Sequence, residues 1–136
     1  MRWSAPGSGK VRAKGVAMLH IGQHEYAMVA FSRVVELSPG LPEAHVNLGY
    51  ALLGLKHYAK ARESFVRAID LKPEQANAYY GLGIAFEKSG DLAAALGAMR
   101  TYVHLTPDSV PQVRKAKSAI WEWETLIAKS NRRVSR

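Results

Sequence analysis

Cysteine is absent from the 136 residues, so the chain has no disulfide framework, no thiolate nucleophile and no cysteine-ligated metal site. Long apolar runs are absent as well. The stretch from Val46 to Leu55 is broken by Asn47, Gly49 and Gly54, and it falls far short of the roughly 20 apolar residues that a membrane span requires. No transmembrane segment is expected. Residues Met1 to Lys14 are basic but carry no continuous apolar segment of the signal-peptide kind. The expected location is cytoplasmic, although a cysteine-free chain suits the periplasm equally.

What is present is the material of one folded domain. Hydrophobic residues make up 48% and charged residues 22% of the chain, a balance found in globular domains and not in disordered ones. The formal charge of +8 suggests nucleic acid or an anionic membrane until the charges are placed along the chain. Four basic residues and no acids precede Gly15, and seven basic residues face only Glu122 and Glu124 from Arg114 onward. The body between them is close to neutral, so the excess charge sits at the two ends.

The dominant internal signal is self-similarity at an offset of 34 residues. Pro39, Pro73 and Pro107 recur at that spacing, as do Gly15, Gly49 and Gly83, and Ala27, Ala61 and Ala95. Apolar columns follow the same register: Ala17, Ala51 and Ala85; Met18, Leu52 and Phe86; Phe31, Phe65 and Met99; Val35, Ile69 and Val103; Leu37, Leu71 and Leu105. Within each unit apolar residues recur at spacings of three and four, which predicts two helices per unit. In the second unit Leu48, Ala51, Leu52 and Leu55 lie along one helix, then Tyr58, Ala61, Phe65, Ala68, Ile69 and Leu71 along the next, with the turn at Gly54 to His57. In the third unit Ser89-Gly90-Asp91 provides a glycine to end one helix and an aspartate to cap the other. Gly49 and Ala61, like Gly83 and Ala95, allow the paired helices to approach closely.

These columns resemble the tetratricopeptide repeat family, whose 34-residue unit carries an aromatic, Leu-Gly, a bulky residue, Ala, Phe and Pro at fixed places. The resemblance spans about Ser8 to Pro107. It is fullest in the third unit, with Tyr79, Leu82, Gly83, Phe86, Ala95, Met99 and Pro107, while the second has His45 at the aromatic place. The first unit departs from the pattern, with Val11 and Lys14 where the aromatic and leucine belong. The resemblance implies an all-α fold, a right-handed superhelix of three helical hairpins and a capping helix, seven helices in all. Repeats are expected at about 8–41, 42–75 and 76–109, a capping helix at 110–130, a flexible leader at 1–7 and a frayed basic tail at 131–136. On the capping helix, which Pro111 starts favourably, Val113, Ala116, Ile120, Trp123 and Ile127 form one apolar stripe to cover the third hairpin.

Solenoids of this kind bind extended partners along a concave face. The family's inward positions fall on Val16 and Leu19 in the first unit, Val46, Tyr50 and Leu53 in the second, and Tyr80 and Ile84 in the third. Asn47, Asn77, Arg12, His20, Glu87 and Lys88 add polar points, and the same register places Trp121 at the groove end. Tyr50, Tyr80 and Trp121 are either exposed anchors for a partner or rings sealed between helices. If exposed, they suit a peptide or amphipathic helix of another protein. The family's carboxylate clamp for acidic chaperone tails maps onto Arg12, Val16, Asn47, Asn77 and Gly81, of which only Arg12 and Asn47 retain suitable chemistry.

Competing functions find less support. Gly7-Ser8-Gly9-Lys10 lacks the full spacing, the hydroxyl residue and the preceding strand of a phosphate loop. His20 and His24 stand one helical turn apart, but no third metal ligand is indicated. No set of nucleophile, base and orienting residue is present, so no enzyme and no cofactor are expected. The basic ends could associate with nucleic acid or an anionic membrane, and the groove could be filled by the chain's own leader or by a second copy. Solubility is the plainer reading of the charge.

Overall fold

A computed structural model describes residues 16–134, with side chains from Gly22 onward. Six α-helices follow one another: α1 (Val16–Leu37), α2 (Pro42–Gly54), α3 (Tyr58–Leu71), α4 (Ala76–Lys88), α5 (Leu92–Leu105) and α6 (Pro111–Val134). There is no strand among the described residues. Helices α2 with α3 and α4 with α5 are the second and third hairpins of the repeat, and each element packs chiefly on its neighbours in sequence. The architecture is a helical solenoid.

Both hairpin turns reverse through a residue with positive φ at the same column. Lys56 (φ 62°) does so between α2 and α3, and Gly90 (φ 86°) between α4 and α5. The bond that closes the turn is repeated too, from His57 N–H to Leu52 O and from Asp91 N–H to Phe86 O, each 2.9 Å. Glycine takes this conformation freely, whereas a lysine gives up about 1–2 kcal/mol to sterics. The later turn is the better built, because the Asp91 side chain also accepts the Ala94 N–H at 3.1 Å.

The core lies in two overlapping clusters. Phe65, fully buried, packs with Val46, Leu52, Ala61, Ala68, Ala78, Leu82 and Ala98. Met99 and Tyr102 pack with Ala95, Leu96, Val113, Ala116 and Trp123. Phe86 touches both clusters and ties the two hairpins together. The apolar stripe of α6 takes its expected place, with Val113, Ala116 and Trp123 buried and Ile120 and Ile127 packed alongside.

Between units the chain is fastened by one device made from two residue types. The Tyr79 hydroxyl donates to the Pro73 carbonyl at 2.7 Å. At the equivalent place 34 residues earlier, the ring nitrogen Nε2 of His45 lies 2.8 Å from the Pro39 carbonyl. Histidine therefore replaces the aromatic of the repeat without loss of the fastening bond.

The helix count corrects the expectation of seven. The described part of the first unit is a single helix of 22 residues, not a hairpin. Gly22 occupies the column of Lys56 and Gly90, yet the helix runs through it. A glycine permits a left-handed turn without imposing one, and Gln23 stands where Asp91 supplies a cap. The leader and the first residues of that unit lie outside the described residues. At the other end, α6 continues to Val134, so Asn131 to Val134 are helical where a frayed tail is expected. Arg132 and Arg133 in its last turn suit the negative end of the helix dipole.

Candidate functional site: an aromatic cleft

Helices α2 and α4, the first helices of their hairpins, touch each other, and a cleft of about 390 Å³ opens beside them. Tyr50 of α2 and Asn77 and Tyr80 of α4 form its walls, joined by Tyr102 of α5 and by Val110 and Gln112 at the start of α6. The lining has three phenol rings, two amides and one aliphatic side chain, and no charged group.

Each ring is held. Tyr50 meets the buried Phe65 edge to face, with centroids 5.0 Å apart at 76°. Its hydroxyl donates to the backbone carbonyl of Asn77 at 2.7 Å, which links α2 to α4. Tyr80 meets Tyr102 edge to face at 5.1 Å and 65°, and Tyr102 is only 2% exposed. Burial pushes the Tyr50 phenol well above its ordinary value of 10.0, and the nearby Tyr80 and Tyr102 add to the effect. The Tyr80 phenol is raised by burial and then by Tyr102, against a partial offset from its hydrogen bond with Gln112. The cleft therefore presents neutral rings near neutral pH, suited to apolar or aromatic side chains, with amides able to hydrogen-bond a partner's backbone.

The positions read from the repeat register distribute unevenly over this geometry. Tyr50, Asn77 and Tyr80 come together in the cleft. Asn47 is exposed on α2, while Leu53 and Ile84 are half-buried against the two core clusters. Val46 does not reach the surface: at 5% exposure it is part of the core around Phe65. Arg12 lies outside the described residues, as do the side chains of Val16, Leu19 and His20. Trp121 is 71% exposed, but it is not a wall of the cleft. It follows Gln112 by nine residues, half a turn around the helix, and lines a separate depression of about 460 Å³ with Asp108, Arg114 and Lys117.

Three walls of the cleft escaped the sequence. Tyr102 belongs to a second helix of its hairpin, outside the inward positions, and enters because a tyrosine stands in the column where Ala68 stands one unit earlier. Val110 and Gln112 enter because the chain turns into α6 beside Tyr80. Among the described residues no group of three or more His, Cys, Asp or Glu is placed to hold a metal ion, and no helix is long and apolar enough to cross a membrane.

A family model described as tetratricopeptide repeat matches residues 43–110. Solved structures of similar shape include the first TPR of Spaghetti (RPAP3) bound to an HSP90 peptide, 19% identical with a TM-score of 0.73 over 92% of this chain and 96% of that one. The Sgt2 TPR domain from Aspergillus fumigatus is 20% identical with a TM-score of 0.74, over 94% and 83% of the two chains. The type III secretion translocator chaperone SycD of Yersinia enterocolitica is 14% identical with a TM-score of 0.75, over 93% and 90%. At these identities the likeness is one of fold. No curated protein sequence matches the chain significantly.

Proposed function

The chain belongs to the tetratricopeptide repeat family, and on that ground we propose that it is a protein-interaction module, an adaptor or scaffold that catalyses nothing. Its partner presents an apolar peptide or the apolar face of a helix to the cleft between α2, α4 and the start of α6. The observation that carries this reading is the convergence of Tyr50, Tyr80 and Tyr102 around an open volume with no charged lining. Half-buried aromatic rings fixed by their neighbours lose little entropy on binding, which is why binding energy concentrates on such residues.

The fold likeness is compatible with this role, since the Spaghetti domain is seen with a peptide. The chemistry of the ligand must differ. That peptide, SRMEEVD, is acidic, whereas this cleft offers no cation, and Gly81, one of the clamp positions, is packed against Phe65.

The test is capture of partners by the wild-type chain and by a Tyr80→Ala, Asn77→Ala variant, read by mass spectrometry. These two positions are preferred because Tyr50 also joins α2 to α4, so its removal would loosen the fold. Partners lost by the variant at unchanged helicity support the proposal. A partner set that is the same for both chains refutes it.

A further inference from the structure

In the two complete hairpins the second helix buries the same four columns of the repeat. Ala61, Ser64, Phe65 and Ala68 of α3, and Ala95, Ala98, Met99 and Tyr102 of α5, are each at most 9% exposed. The residues at these columns on α1 are Ala27, Ala30, Phe31 and Val34. None of them is buried: Ala27 and Phe31 are half-exposed, and Ala30 and Val34 are exposed. Tyr26 and Val29 beside them are 80% and 65% exposed. Helix α1 thus has the core residues of a second helix, with that flank bare.

The complete units show what such a flank accepts. Gly49 brings α2 onto the Phe65 ring, and Gly83 brings α4 onto Met99, where a Cβ built at Gly83 would stand 3.7 Å from the Met99 Cβ. The same columns in the first unit hold Gly15, Ala17 and Met18, so the matching first-helix sequence lies just ahead of and within the start of α1. Its own chain carries that segment away. Because α1 is unbroken through Gly22, Val16 to Ile21 prolong the helix axis and do not fold back onto its flank. A helix cannot cover its own side, but a second copy can supply the missing element, and two-fold exchange satisfies both chains at once.

We propose that the bare flank of α1 is a self-association surface, on which the start of α1 from a second copy takes the place of the first unit's first helix. Burial of the apolar columns of both copies drives the exchange. The cleft at Tyr50 and Tyr80 belongs to other helices and stays free for a different partner.

The full chain in light scattering should give twice the 15.0 kDa of one copy and dissociate on dilution; a single-copy mass at every concentration overturns the proposal. Because the chain has no cysteine, a cross-link can be placed cleanly. Gly15→Cys with Phe31→Cys sets a pair on the columns of Gly83 and Met99, within the roughly 3.5–4.5 Å between Cβ atoms that a disulfide needs. With oxidised glutathione, a bond between two copies is expected. A bond within one chain, or none, overturns the proposal, the former because the first unit then folds as its own hairpin. Since Phe31→Cys can itself loosen the fold, Ala30→Arg gives an independent reading: it should abolish the dimer at unchanged helicity, and a persistent dimer counts against the exchange.

Discussion

Alanine placed at Gly49, Gly83 and Gly97 should move stability in three different directions, because the same gain in helix propensity meets three different neighbourhoods. Replacing a glycine inside a helix by alanine contributes about 1 kcal/mol by itself. At Gly97 a new Cβ meets nothing within 4 Å, so the full gain should appear. At Gly83 it meets the Met99 Cε at 3.0 Å, the far end of a flexible side chain that can yield, and the gain should be nearly cancelled. At Gly49 it meets three atoms of the Phe65 ring at 2.6, 2.8 and 2.9 Å. That ring is fully buried and Gly81 presses on it from α4, so it has nowhere to go. Overpacking of this kind costs about 1–3 kcal/mol, which outweighs the propensity gain and leaves Gly49→Ala destabilised by up to about 2 kcal/mol. Thermal unfolding followed by circular dichroism resolves the series, since one kcal/mol moves the midpoint of a chain this size by roughly 3–5 °C. The double variant Gly49→Ala, Phe65→Leu should recover part of the loss, because the smaller side chain vacates the contested space. A Gly49→Ala chain as stable as the wild type would refute the claim that close approach at this column is what the glycine provides.

Asp91→Ala should lower stability by about 1 kcal/mol through loss of the cap on Ala94, a drop of a few degrees in the same melt. Tyr50→Phe should cost about 1 kcal/mol near neutral pH through the lost bond to the Asn77 carbonyl. It should also flatten the alkaline limb of a stability profile. The folded chain keeps that phenol protonated while the unfolded chain releases the proton near 10.0. Its contribution is therefore complete below that pH and declines as pH rises toward the higher native value. Equal slopes for both chains between pH 9 and 11 would remove this assignment. Isothermal calorimetry with SRMEEVD should show no micromolar binding, and saturable heat at that affinity would contradict the charge-free reading of the cleft.

The repeat made most of the fold legible. Columns at 34-residue spacing placed α2 to α5 and both turns, and the stripe on α6 identified which residues of that helix are buried. The register was a poorer guide to the first unit, because a glycine at Gly22 allows a turn and the neighbouring Gln23 adds no cap to require one. For the cleft, the register found Tyr50, Asn77 and Tyr80 but also selected Val46. Inward position alone does not say whether a residue clears its neighbours, and valine is too short to do so. Trp121 was assigned to the groove by extending the same register onto a helix that has no hairpin partner, where the register no longer dictates which face meets the cleft.

The sequence by itself determined the helices, their pairing and the residues that must be small, because these follow from periodicity and from the volume available between neighbouring backbones. The tertiary structure alone decided where a usable surface lies. A cleft is built from side chains of four helices whose relative placement depends on how the units stack, so Tyr102 and Gln112 became its walls and Val46 did not.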